Sequence, residues 1–154
     1  ELNRAQVLEL YAMREGLEGT AARFAAQHAD AAEIDLMHDL LNQEARALDD
    51  SKQSARINRD LHSTIYSAAR TRYLLSTLNV LGNALALLQG TTFSVPGRPE
   101  QGLKEHRVLV EAIAARKGDD AEAAARKHIA RARQTRLKML YGSDGSTLRE
   151  TASS

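Results

Sequence analysis

The sequence contains no cysteine, and this absence removes two classes of site. Neither a disulfide nor a thiolate metal centre can form, so any metal ion would need nitrogen and oxygen ligands. A charge excess of one sign is also lacking, because 21 basic and 20 acidic residues leave a formal net charge of +1. Such a balance produces no overall field that would attract DNA or an anionic membrane. A reducing, cytoplasmic location fits this composition and is the expected one.

Long apolar runs are missing as well. No stretch of the sequence approaches the ~18 residues of a membrane-spanning helix, and no signal peptide opens it. We therefore expect a soluble protein with no membrane partner. The sequence starts at Glu1 and not at a methionine, which suggests a fragment of a longer chain. Its 154 residues, of which 43% are hydrophobic, are enough for one domain with a single core.

Strand-like alternation is absent, whereas apolar residues recur at helical spacing along most of the chain. This pattern predicts an all-α, antiparallel bundle of six to seven helices within residues 1–141. The predicted helices cover residues 5–28, 31–48, 54–70, 73–89, 100–116 and 121–141. Because leucines surround most of the fourth helix, we expect that helix to be central. Residues 142–154, rich in Ser, Thr and Gly, are expected to be a disordered tail.

Helix ends and polar faces can also be predicted. Asp30 followed by Glu33 indicates a capping box at the second helix, and residues 90–102, which contain both prolines, form the one clear loop. Gly118 and Asp119 are predicted to end the fifth helix and cap the sixth. The sixth helix has a basic face that should be solvated, with a smaller chance of touching another domain. That face comprises Arg126, Lys127, Arg131, Arg133, Arg136 and Lys138.

Three histidines fall on the apolar stripes of three different helices, at His62, His106 and His128. Asn58 precedes His62 by four residues and so shares its helical face. A neutral imidazole that faces a core keeps a ring nitrogen free, and three of them together can coordinate a cation. A single histidine at such a position is more often a satisfied core residue. The sequence leaves both interpretations open.

Arg14 lies within the apolar stripe of the first helix, where a guanidinium needs an anionic partner. That partner is either an internal carboxylate, such as Glu18, or a bound anionic ligand, and position alone favours the internal one. Asn79 and Asn83 interrupt the leucine-rich helix at a spacing of four residues. They are either core amides or the lining of a cavity.

Motifs of common enzyme classes are absent. The sequence contains no Glu-x-x-His pair of a di-iron bundle, no Gly-rich phosphate loop, no Gly-x-Ser-x-Gly elbow and no His-Glu-x-x-His. A non-enzymatic role is therefore favoured. The alternative is a metal-dependent enzyme that uses the three histidines as a Lewis-acid centre. A helical domain that acts only through interactions is a third possibility.

Several motifs in a fixed order resemble those of a known family. They are Tyr11-Ala-Met-Arg-Glu-Gly-Leu-Glu18, then Asn58-x-x-Leu-His62, then Glu105-His106-x-x-Leu, then Gly118-Asp119 and His128. This order is similar to that of the FCD domain, the effector-binding domain C-terminal to a winged helix-turn-helix in FadR-subfamily GntR transcription regulators. The likeness covers about residues 5 to 140.

The resemblance implies a homodimer that binds a small organic acid in a bundle cavity and modulates DNA binding by a missing N-terminal domain. It implies a divalent ion, Zn, Ni or Mn. The ligands carried over by position are Asn58, His62, His106 and His128. Arg14 would bind the carboxylate of the effector, and Asn79 and Asn83 are candidate effector contacts. Asn58 stands where aspartate is commoner in the family, so the site has one negative charge fewer.

Overall fold

The computed structural model describes residues 1–142 of the chain. Within them six α-helices occur, with a 3-10 turn at Thr92–Ser94 and no strand, so the predicted all-α bundle is confirmed. The helices are α1 (Arg4–His28), α2 (Ala31–Ala45), α3 (Ser51–Ala68), α4 (Arg72–Leu85), α5 (Arg98–Ala114) and α6 (Gly118–Tyr141). Along this part of the chain, no helix is both long and apolar enough to cross a membrane. Apart from Gly142, the predicted disordered tail lies outside the described residues.

Side-chain caps fix where the first three helices begin. The predicted capping box at α2 is present, because Asp30 accepts from the amide of Glu33 and the Glu33 side chain accepts from the amide of Asp30. Asn3 makes the equivalent box at α1. Asp50 accepts from the amide of Gln53 at 3.1 Å. This cap starts α3 at residue 51, three residues earlier than the apolar pattern predicted.

The junction between α5 and α6 differs from the prediction. Gly118 does not end α5, because Arg116 takes the positive φ of 61° and Gly118 is already the first residue of α6. The amide of Lys117 donates to the carbonyl of Ala112 at 2.9 Å, and the amide of Arg116 donates to that of Ile113 at 3.0 Å. These two bonds are the pair that defines a Schellman motif. The loop is therefore shorter than predicted, and α6 begins one turn earlier.

Helix α4 is not central, which corrects the prediction made from leucine content. Helix α1 packs against α3, α4, α5 and α6, and α5 packs against α1, α2 and α6. Helix α4 lies against α1 and the edge of α3, and only its Leu74 and Leu78 are buried. Its leucines are concentrated on one side, so the helix is amphipathic and covers the bundle from outside.

Candidate functional site

Helices α3, α5 and α6 bring the three histidines singled out by the sequence together in the core. One ring nitrogen from each of His62, His106 and His128 lies within 4.8 Å of the other two, and all three side chains are buried. Nε2 of His106 is 3.2 Å from Nε2 of His128. Nε2 of His62 is buried and has no hydrogen-bond partner among residues 1–142. The Nε2 atoms are therefore the nitrogens left free for a ligand.

Each histidine is oriented by a buried glutamate that contacts its Nδ1. The pairs are His62 with Glu18 at 3.1 Å, His106 with Glu44 at 2.8 Å and His128 with Glu105 at 2.7 Å. A Nδ1–H that donates to a carboxylate fixes the tautomer with a lone pair on Nε2. Two such lone pairs at 3.2 Å repel each other, and a cation between them would remove the repulsion. This carboxylate–histidine arrangement is the usual support of metal-ligating imidazoles.

The carboxylate of Glu105 is held ionised at the centre of a charged group. Burial opposes its ionisation, but His128 and Arg98 outweigh that effect and lower the pKa of Glu105 to about 2. Arg98 binds both carboxylate oxygens, at 3.0 and 2.9 Å. Burial, and then the neighbouring His106, lower the pKa of His128 well below its ordinary value. His128 is therefore neutral at pH 7, as a metal ligand must be.

The carboxylate of Glu18 connects His62 to the first helix. It accepts hydrogen bonds from Nδ1 of His62, from Nε of Arg14 at 3.3 Å and from the hydroxyl of Tyr66. Burial opposes ionisation of Glu18, but His62, Arg14 and Tyr66 together lower its pKa to about 2. Burial and the charge of Glu18 raise the pKa of Tyr66, so the phenol stays protonated and donates. Glu18, the internal partner expected for Arg14, is thus in contact with it.

Asn58 lies one turn before His62 on α3 and lines the same cavity. Its Oδ1 is buried and has no hydrogen-bond partner among the described residues. A buried amide oxygen without a donor is unusual, because desolvation is then not compensated. Three convergent imidazole nitrogens suit a borderline divalent cation, and an amide oxygen one turn from His62 is a further type of ligand that such a cation accepts. The residues present therefore fit a metal ion.

A cavity of about 580 Å³ opens beside the histidines, between α1, α3, α4 and α6. This volume is typical of sites for small molecules. His62 and His128 line it, whereas His106 is fully buried and does not. Arg14 lines it with a side chain that is 21% exposed. Asn79 and Asn83 also line the cavity and are exposed on α4, so they lie at its rim and are not core amides.

Sequence reasoning missed the glutamates that orient the histidines. Glu44 follows Met37 by seven residues and Leu40 by four, so it lies on the buried stripe of α2, and this spacing could have identified it. Glu105 gave a weaker signal, because it is adjacent to His106 and both are buried on the broad inner surface of α5.

The expectation of a solvated basic face on α6 is wrong for Arg136. This residue is only 8% exposed and lines the cavity. It follows His128 and Ala132 at successive intervals of four residues, and both of these are buried. The helical repeat therefore turns Arg136 inward with them. Arg131 also departs from the expectation, because its guanidinium lies 3.4 Å from Glu105.

Comparisons with known proteins agree with this fold. The family model described as FCD domain matches residues 9–131. The structure is similar to E. coli McbR/YncC, with a TM-score of 0.77 and 16% identity over 91% of this chain and 68% of that chain. It is also similar to Streptococcus agalactiae GntR, with a TM-score of 0.73 and 19% identity over 84% of this chain and 58% of that chain. At these identities the likeness shows a common fold. No curated protein matches the sequence significantly.

Proposed function

Because the chain belongs to the FCD domain family, we propose that it is the effector-sensing domain of a GntR-type transcription regulator. In this proposal it binds a small organic acid at a divalent ion and thereby modulates DNA binding by an N-terminal winged helix-turn-helix. One protein with this fold is a GntR, and the chain spans 58% of its length. That difference in length supports a regulator with a further domain.

The observation that carries the proposal is the convergence of three Nε2 atoms whose imidazoles are held by buried carboxylates. Arg14 and Arg98 offset the charges of Glu18 and Glu105. Among residues 1–142, Glu44 has only His106 within ion-pair distance. A buried carboxylate without a full counter-charge is costly. A cation bound at the histidines would balance this cluster.

In the proposed site, His62, His106 and His128 hold the ion and Asn58 adds an amide oxygen. The bound ion would supply open coordination positions for oxygens of an organic acid. Arg14 would bind a carboxylate of that acid, since a guanidinium makes forked hydrogen bonds to carboxylate oxygens.

Asn79 and Asn83 would contact the same ligand from α4, as amide donors at the rim of the cavity. A ligand held by the ion, by Arg14 and by these amides would touch α1, α3, α4 and α6 together. Its binding would favour one arrangement of these helices over others. An N-terminal domain joined through α1 would receive that change directly, because α1 carries both Arg14 and Glu18.

A homodimer is part of the proposal. Tyr73 and Val80 lie seven residues apart on α4 and are 79% and 65% exposed, and Leu87, which is 71% exposed, lies in the turn after α4 ends at Leu85. Residues seven apart fall on the same side of a helix. A stripe of exposed apolar side chains is typical of an interaction surface. It supports pairing of two chains through α4.

Elemental analysis tests the metal site. The purified domain, loaded with Zn²⁺ or Ni²⁺ and desalted, should retain about one ion per chain, and the ion should raise the melting temperature. His62→Ala should lower the metal content sharply, because it removes a ligand and leaves Glu18 without its imidazole. His38→Ala is the control, since His38 is exposed on α2. Less than ~0.1 ion per chain with no thermal shift would reject the proposal.

A further inference from the structure

Arg136 is a buried cation that no carboxylate neutralises among residues 1–142. Its hydrogen bonds go to the backbone carbonyls of Gln89 at 3.0 Å and Gly90 at 3.3 Å. Its Nε is buried and has no hydrogen-bond partner in the described part of the chain. None of the ion pairs in this part of the chain includes it. The side chain nevertheless lines the cavity and is more than nine-tenths buried.

The other buried or partly buried arginines at the cavity have carboxylate partners, and Arg59, which also lines the cavity, is exposed to solvent. Arg98 is neutralised by both oxygens of Glu105, and Arg14 by Glu18. An uncompensated buried charge is costly, and two carbonyl dipoles offset that cost only in part. Arg136 is therefore the position in the cavity where an external anion would gain most, because the protein itself supplies none there.

Arg136 and the histidines lie at opposite ends of an apolar stretch. Arg136 follows His128 by eight residues on α6, which separates their Cα atoms by about 12 Å along the helix axis. Ala132 lies between them and belongs to an apolar cluster with Tyr11, Leu85 and Leu88. All four of these residues also line the cavity. A ligand that reaches both ends would have an aliphatic middle section.

We propose that Arg136 forms a second anion subsite, so that the effector carries one acidic group at the histidine end of the cavity and another at Arg136. The second group is a carboxylate or a phosphoryl group on the far end of an aliphatic chain. This inference rests on the proposed function, because the first acidic group is the one assigned there to the metal ion and Arg14. It adds a charge requirement and a length requirement that the family alone does not supply.

Titration calorimetry with matched acids tests the inference. Octanoate and suberate have the same chain length and differ in one carboxylate, and the phosphonate analogue of suberate identifies the preferred second anion. With zinc-loaded protein, suberate or its analogue should bind about ten- to a hundredfold more tightly than octanoate, the range expected for hydrogen bonds to a charged group. A series of diacids from succinate to sebacate would then locate the preferred length.

Variants of α6 assign this preference to Arg136. Arg136→Gln should remove the preference for the diacid and leave octanoate binding unchanged. Arg133→Gln should preserve both, because Arg133 does not line the cavity. Arg136→Lys keeps the positive charge within the fold but loses the forked contact, so it should reduce the preference without abolishing it. If Arg136→Gln folds poorly, Arg136→Lys is the variant that tests the subsite.

The outcomes distinguish the second subsite from the proposed function. If octanoate binds and the diacids bind no more tightly at any length, the second subsite is overturned and the proposed function stands. A preference that survives in Arg136→Gln also overturns it. If zinc-loaded wild-type protein binds none of these acids, the inference and the carboxylate part of the proposed function both fail.

Discussion

Arg14 can bind an internal partner and a ligand at the same time. Its Nε binds Glu18, and within residues 1–142 no other carboxylate lies within ion-pair distance of the guanidinium. The side chain borders the cavity and is partly exposed. Glu18 thus holds the guanidinium in place while the terminal nitrogens are left for a carboxylate. An arginine fixed in this way loses little entropy when it binds a ligand.

Arg14→Ala should weaken binding of octanoate by the zinc-loaded domain about ten- to a hundredfold, because a charge-assisted pair is lost. Zinc content should stay near normal, since Glu18 still contacts His62 and Tyr66. Arg14→Lys should not restore binding, because an ammonium lacks the forked geometry. Calorimetry gives the affinity and elemental analysis gives the metal content of the same samples.

Arg23→Ala is the matched control on α1. Arg23 pairs with Asp119 and Glu122 of α6 at the surface, away from the cavity, and such pairs contribute little to stability. This variant should bind octanoate like the wild type. If Arg14→Ala unfolds the domain without any ligand, Arg14 acts only as an internal ion-pair partner, and the argument for a carboxylate sensor loses its main support.

The histidines were predictable from the sequence and their carboxylate partners were not. A histidine on an apolar stripe is conspicuous, and each of the three stripes runs through a single helix. The contact between His106 and Glu44 instead joins α5 to α2 across 62 residues. Periodicity places Glu44 on an inner face, but it does not say which residue of another helix it meets. The same holds for Arg136, whose burial follows from spacing but whose place in the cavity does not.

At the scale of helices, α1 and α6 approach closely at Gly19. A Cβ built on this residue would lie 2.8 Å from Cγ of Arg126 and 3.1 Å from Cγ of Glu122. Gly16, one turn earlier on α1, has no atom within 4 Å of such a Cβ. The two glycines therefore have different structural roles in α1. Gly19 permits the packing of α1 on α6, whereas Gly16 only lowers the helix propensity.

Replacement of each glycine by alanine should distinguish these two roles. Gly16→Ala should raise the free energy of unfolding by up to about 1 kcal/mol, because alanine favours the helix and meets nothing. Gly19→Ala should gain nothing or lose stability, since Arg126 and Glu122 would have to move away from the added methyl. Urea denaturation of the two variants beside the wild type measures the difference. An equal gain in both would show that α1 and α6 do not pack this closely.

Helix number and most helix starts followed from the sequence, while the arrangement of helices did not. Caps such as Asp30 with Glu33 depend on neighbours in the chain and can be read directly. Which helix is central depends on the packing of all six helices, and leucine content gave the wrong prediction for α4. The leucines of α4 suggested a core helix, yet α4 ends at Leu85, four residues earlier than predicted, and leaves Tyr73 and Val80 exposed.

In the molecule as a whole, α4 lies between the cavity and the apolar surface. Its Leu78, Asn79 and Asn83 border the cavity. Tyr73 and Val80 belong to the exposed stripe that we assign to the dimer. A ligand that shifts α4 would therefore also shift the surface through which two chains pair. In the proposed regulator, such a shared helix would link effector binding to the relative position of two DNA-binding domains.

The dimer can be tested at Val80, in the middle of the exposed stripe. Val80→Asp should convert a dimer into a monomer in sedimentation at micromolar concentration, because a carboxylate buried between two copies has no counter-charge. Val108→Asp is the control, since Val108 is 59% exposed on α5 and lies outside the stripe. It should remain a dimer. A wild-type chain that is monomeric at micromolar and higher concentration would contradict the assignment of this surface. A Val80→Asp variant that still forms a dimer would contradict it too, because an apolar interface does not tolerate two unpaired charges at its centre.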